Sequence, residues 1–286
     1  PYEQQRLLKT ILQENCVTPQ NLKAELFKLI NIISFYKSKN IDRDKILKIP
    51  YPKELKVEMD KSTLKRVIFS YLDYLDKEYL FDFDDLIYKT FRLLKDNPDA
   101  LARVRKKYKT YIVDEAQDLN EMNWQLIFLL CSNLRLIAVG DPCQNIYMFR
   151  YAEPEKFSLE EFLKHFQDAV ELQLPNNYRS EPDIVSFGNI IRKHCEDPLV
   201  AIPQKESTVS KSVFFYRTKH SPAEGQQVVK VVQAFLKLGY KLSDIVIISR
   251  SSNFLKTIIE KEVIKENWEY EILAGNAVSL HESSSA

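Results

Sequence analysis

Residues 111–118 read Tyr111-Ile112-Val113-Asp114-Glu115-Ala116-Gln117-Asp118, a short apolar run cut off by two adjacent carboxylates. That pattern predicts a strand of a parallel sheet, whose C-terminal end is where α/β folds bind ligands. Paired charges there are costly unless a cation or polar partner compensates them, which suits a Mg²⁺-nucleotide site. Taken alone, the same acids also fit the start of a helix after a strand.

The neighbouring sequence repeats the rhythm. Leu136-Ile137-Ala138-Val139 forms a second apolar run before Gly140-Asp141, and Met122 to Leu130 between the runs fits a helix. This is a β-α-β unit. Val170 to Leu174 is expected to be a third strand, followed by a helix from Asp183 to Lys193. A second β-α-β is expected from the strand Val213 to Tyr216, the helix Ala223 to Leu238 and the strand Ile245 to Ile248. Another helix, Asn253 to Lys265, then leads to a short strand near Tyr270 to Leu273.

Upstream of Thr110 the pattern is helical. Leu7-Leu8-Ile11-Leu12 and Leu26-Leu29-Ile30-Ile33 recur at three and four spacing, and Pro50 and Pro52 interrupt the run. Helices are expected from Lys61 to Lys77 and from Asp82 to Lys95, the latter with Phe83, Leu86, Ile87 and Phe91 on one face. Asn97-Pro98-Asp99 marks a turn and a new helix start. The fold class is therefore α/β, with an N-terminal all-helical unit over residues 1–109 and parallel-sheet domains over 110–176 and 177–286.

Composition narrows the function. The 286 residues carry 41 basic and 40 acidic side chains, a net charge of +1, so nucleic-acid contact must be local rather than driven by a global basic field. Arg103, Arg105, Lys106, Lys107 and Lys109 form one basic cluster, which reads first as a solvated helix face. Four cysteines, Cys16, Cys131, Cys143 and Cys195, lack Cys-x-x-Cys spacing and read as reduced thiols. His194-Cys195 has no further ligands at zinc spacing. With no membrane-length apolar run and no signal-like N-terminus, the chain is expected to be intracellular, cytoplasmic or nuclear.

Glycine is scarce. Only five occur against the ~20 of average usage, none before Gly140 and no neighbours five apart. A phosphate-cradling Gly-x-x-x-x-Gly-Lys loop is therefore absent from this sequence. The chain starts at Pro1 and is expected to be the middle of a longer protein.

Two further segments accompany the acid pair: Gly140-Asp141-Pro142-Cys143-Gln144-Asn145-Ile146-Tyr147-Met148-Phe149-Arg150 and Leu174-Pro175-Asn176-Asn177-Tyr178-Arg179-Ser180. In this order the three resemble motifs II, III and IV of superfamily 1 DNA helicases of the UvrD/Rep/PcrA type. Phe81-Asp82-Phe83-Asp84-Asp85-Leu86 and Asp244-Ile245-Val246-Ile247-Ile248-Ser249-Arg250 resemble flanking stretches of the same family. Two departures stand out: Pro142-Cys143 replaces the usual acidic run, and Tyr151 stands where glycine is common.

The resemblance implies RecA-like domains, parts of 1A and 2A, behind a 1B-like helical subdomain, and it implies ATP and Mg²⁺ as cofactors. Asp114 would ligate Mg²⁺, Glu115 would activate water, and Gln144 would sense the γ-phosphate. Tyr178 would stack on adenine, and Arg179 would act as an arginine finger. Tyr147, Phe149 and Arg150 would contact single-stranded DNA or a single-strand/duplex junction, aromatic stacking being indifferent to base sequence. The N-terminal helices are left as a surface for protein partners. Two readings remain open: part of an ATP-dependent 3′→5′ helicase, or a module that no longer hydrolyses ATP and holds DNA or a protein partner.

Overall fold

Side-chain caps mark where four of the N-terminal helices begin. In the computed structural model, which describes residues 2–132, 134–147, 151–195, 198–208 and 211–271, Asn21 accepts from the Ala24 amide at the head of α2 (Leu22–Ser38). Asp60 accepts from Ser62 and Thr63 ahead of α3 (Lys61–Lys77). Asp82 and Asp85 form a reciprocal capping box on α4 (Phe83–Asp96), and Asn97 caps α5 (Pro98–Lys107), which starts on proline. Together with α1 (Tyr2–Glu14), these elements realise the expected helical run.

Leu8, Ile11 and Leu12 of α1, Leu29, Ile32 and Ile33 of α2, and Leu64, Val67, Ile68 and Tyr71 of α3 form one dry cluster, each no more than 3% exposed. The chain divides into two compact units, residues 1–176 with 188–202, and residues 177–187 with 203–286. The helical cluster lies in the first.

A buried ionic cluster fixes α4. Lys37 Nζ pairs with Asp82 (2.6 Å) and Asp85 (2.8 Å), and Tyr71 donates to Asp82 (2.9 Å). Turning Asp85 inward places Phe83 and Leu86 about 160° and 100° around the helix from it. Both are consequently exposed, by 75% and 55%; of the apolar face expected for α4 only Phe91 is buried, and Leu94, outside that face, is buried with it.

Strand β1 (Thr110–Val113) pairs in parallel with β2 (Arg135–Ala138), with Thr110 opposite Arg135 and Val113 opposite Ala138. The crossover is α6 (Glu121–Cys131), whose Met122 and Trp124 are buried. Arg105 donates to the Leu129 carbonyl and to Ser132 Oγ near the end of α6, so this member of the basic cluster ties α5 to α6.

The sheet is smaller than the sequence suggests. Ile112 and Ile137 are 71% and 50% exposed, so the strand carrying the acid pair is half-open rather than buried on both faces. After the short helix α7 (Leu159–Leu163), Val170 to Leu174 forms no strand, and its three apolar side chains are exposed. In the second unit Val213 to Tyr216 and Ile245 to Ile248 join no ladder among the described residues; Val246 and Ile248 are among the exposed apolar side chains. Strand-like sequence without a paired neighbour leaves backbone donors to solvent.

The second unit is organised by α9 (Ser221–Lys237), capped by His220. Its Val229 and Val232 are buried, as are Ile259 of the π-helical Leu255–Ile259 and Val263 of the helix Glu260–Lys265. Gly225 permits this approach, since a Cβ there would lie 3.1 Å from the Ile258 carbonyl oxygen. Half of the expected strand at 270–273, Ile272 and Leu273, falls outside the described residues, and Tyr270 and Glu271 join no ladder. No described helix is long and apolar enough to cross a membrane.

Candidate active site

Immediately after β1, Glu115 takes a left-handed conformation, φ +50° and ψ +42°. For a residue other than glycine this costs about 1–3 kcal/mol and persists only where the surroundings impose it. Here the Glu115 amide donates to Asp114 Oδ1 (2.9 Å), and the Ala116 amide donates to the Val139 carbonyl (3.0 Å), pinning the turn to the end of β2. Asp114 and Glu115 are both exposed.

Gln117 connects this acid turn to the loop after β2. Its side chain, 1% exposed, donates to Glu115 Oε2 (2.8 Å) and accepts from the Asp141 amide (2.9 Å). Asn145 donates in turn to the Gln117 carbonyl. Gly140 makes the approach possible: a Cβ there would sit 2.5 Å from Gln117 Oε1 and 3.0 Å from the Ala116 nitrogen. Because Gln117 is held at both ends, it cannot swing aside without losing bonds. Gly140→Ala should therefore cost about 1–3 kcal/mol, read as a lower urea midpoint; an unchanged midpoint would show that the loop yields freely.

Asp141 anchors the loop from the other side. It accepts from both terminal nitrogens of Arg192 (2.5 and 2.9 Å), from Gln144 Nε2 (2.7 Å) and from the Cys143 amide (3.1 Å). Burial works against its charge, but Arg192 and Gln144 outweigh burial and hold the carboxyl below its usual range. Arg192 lies at the end of α8 (Pro182–Arg192) and also donates to the Leu199 carbonyl (3.0 Å). Nearby, Asp118 Oδ1 is buried without a partner; burial, then the charge of Glu115, raises the Asp118 pKa.

Tyr151, at the glycine-favouring position, has φ +63°. Its side chain compensates by donating to the Asn31 carbonyl (3.0 Å) and by packing edge-on to Phe35 with ring centroids 5.2 Å apart. The following residues are fixed by Glu153, whose amide donates to Leu119 O (2.9 Å) and whose carboxylate pairs with Lys39.

Of the sequence-derived candidates, the structure joins Glu115 to Gln144 through Gln117 and Asp141, with Asp114 in the same turn. Tyr147 follows in that loop and is half-buried. Phe149 and Arg150 lie outside the described residues. Tyr178 and Arg179 belong to the second unit, where Asn177 Oδ1 accepts from the Arg179 (3.1 Å) and Ser180 (2.9 Å) amides and leaves Tyr178 73% exposed. Gln117, Asp141 and Arg192 were not singled out from sequence. Gln117 and Asp141 lie within quoted segments, whereas Arg192 carries no local signal.

The candidate site is thus the half-open end of an α/β unit, with an exposed acid pair tied to the following loop. The UvrD/REP helicase N-terminal domain matches residues 2–167, and the UvrD-like helicase C-terminal domain matches residues 172–278. The chain belongs to the UvrD/Rep helicase family. It is similar to the ATP-dependent DNA helicase PcrA of Staphylococcus aureus, at 26% identity over 277 residues, covering 96% of this chain and 36% of that protein. It is also similar to the ATP-dependent DNA helicase Rep of Buchnera aphidicola, at 30% identity over 271 residues, covering 92% of this chain and 40% of that protein. The chain thus spans little more than a third of these relatives' length.

Proposed function

We propose that this chain is the central part of an ATP-dependent 3′→5′ DNA helicase that moves along single-stranded DNA. On this reading residues 1–109 are the 1B-like subdomain, 110–176 part of domain 1A, and 177–286 part of domain 2A. The isolated chain is inactive, because its sequence holds no phosphate-cradling loop.

The observation that carries the proposal is the Gln117 bridge, one buried amide touching both Glu115 and the Asp141 backbone. A shift of the acid turn is thereby transmitted to the loop that bears Gln144 and Tyr147. Asp114 and Glu115 suit Mg²⁺, which is held by one or two carboxylates plus substrate phosphates rather than by an all-protein cage. The described residues offer no cluster of three or more candidate ligands that would hold the ion alone.

The bound ion would neutralise phosphate charge. Asp114 would hold it, and Glu115 would accept a proton from the attacking water. Gln144 reports the γ-phosphate to the loop, Tyr178 stacks on adenine, and Arg179 balances charge that develops on the transferred group. Tyr147, Phe149 and Arg150 engage single-stranded DNA. In strand displacement by the longer protein, a duplex with a 3′ single-stranded tail should be unwound only when ATP is supplied, and a 5′-tailed or blunt duplex should not. Unwinding that favours the 5′ tail would refute the polarity, and none on any substrate would refute the motor.

A further inference from the structure

The cysteines are not equivalent. Cys16 is exposed and Cys131 buried, while Cys143 and Cys195 are both half-buried. Cys143 lies in the loop after β2, its amide donating to Asp141 Oδ1 (3.1 Å). The same carboxylate is clasped by both terminal nitrogens of Arg192, and the Cys195 amide donates to the Arg192 carbonyl (2.9 Å). One bidentate ion pair therefore brings together two cysteines that are distant in sequence, and their side chains lie close enough to interact. Arg192 lies close enough to act electrostatically on both sulfurs. No group of three metal-binding side chains forms among the described residues, so these thiols have no metal site to complete.

We propose that Cys143 and Cys195 are a modification site, a reversible dithiol–disulfide pair that reacts with small-molecule disulfides and, when closed, links the Gly140–Gln144 loop to the end of α8. One protein thiolate attacks a sulfur of the small disulfide, breaking its S–S bond and releasing a thiolate that takes up a proton. The second protein thiol, deprotonated, attacks the protein sulfur of the mixed disulfide and expels the other small thiol. The protein loses two hydrogens, and the small disulfide gains them as two thiols.

Burial and the neighbouring Cys195 push the Cys143 thiol up to about 11, against the opposing pull of Arg192. Thiolate is therefore scarce at neutral pH, so the first step is slow. The second step is intramolecular between adjacent groups and fast. Little mixed disulfide should accumulate at either position. The proposal is independent of the ATPase reading, since it concerns only the proximity of two sulfurs.

The test is to incubate the whole chain with oxidised glutathione at mildly alkaline pH, alkylate the remaining thiols and identify peptides by mass spectrometry. The expected product is a peptide pair joined through Cys143 and Cys195, undone by dithiothreitol, with Cys131 still alkylatable after unfolding. In Cys195→Ser, a glutathione adduct should instead persist on Cys143. The proposal is overturned by stable adducts on Cys143 or Cys195 of the unsubstituted chain without the joined peptide, by joining of either residue to Cys16 or to a second chain, or by both thiols remaining free once Cys16 is fully modified.

Discussion

Glu115→Gln in the longer helicase should lower kcat for ATP hydrolysis by about 10²–10⁴-fold, the usual worth of a positioned general base, while nucleotide binding is retained. The substitution is close to isosteric. Glu115 is exposed in a left-handed turn whose geometry rests on the Asp114 carboxylate, the Ala116–Val139 bond and the Gln117 amide. A glutamine can still accept from Gln117 through its carbonyl oxygen, so the turn survives and only the proposed proton acceptor is lost. Single-turnover hydrolysis beside calorimetric binding of Mg·ATP separates the two effects. Turnover at the original rate would remove Glu115 from the chemistry, and loss of binding as well would make its role structural.

Lys37→Met should destabilise the first unit by about 3–5 kcal/mol, the cost of leaving buried charge without its partner. Both the lysine and the two carboxylates it holds have side chains no more than 7% exposed. Burial opposes ionisation of Asp82, yet Lys37, with the Asp85 amide and the Tyr71 hydroxyl, outweighs it and keeps the carboxyl below its usual range. A group with a depressed folded pKa contributes stability above its unfolded value, roughly 3.9, and loses it as pH falls through the folded value. In this respect the unsubstituted protein should change little between pH 7 and 5. In the variant burial acts unopposed by Lys37, the folded pKa rises, and acidification over the same interval should restore part of the lost stability. Urea midpoints at the two pH values measure both effects. Equal midpoints for the two proteins at pH 7 would show that Lys37 does not hold the cluster.

Local periodicity made the helical half readable. The three-and-four spacing of Leu8, Ile11, Leu12, Leu29 and Ile33 names residues that are buried, and the expected helix starts near Lys61, Asp82 and Pro98 fall where the structure shows side-chain caps. The reading of α4 failed because apolar spacing does not show that a buried lysine takes the inward position for Asp85. The strands after Asn177 were legible as apolar runs, but pairing is a long-range property, and the runs find no partner among the described residues.

At the site, residue types drew out Asp114 and Glu115, and the family resemblance added Gln144. What joins them was hidden, because Gln117 acts through burial and two hydrogen bonds, and Arg192 reaches Asp141 from another helix. Tyr151 illustrates the reverse case. Its departure from glycine was visible in the sequence, and the positive φ explains why glycine is favoured there.

Hydrolysis of ATP by the longer protein, followed with and without single-stranded DNA, tests the account most directly. On the proposed reading, in which the acid turn is tied to a loop that contacts DNA, hydrolysis should be slow alone and at least about tenfold faster, some 1.4 kcal/mol in barrier, once the DNA is present. A rate indifferent to DNA would contradict the coupling on which the whole reading stands.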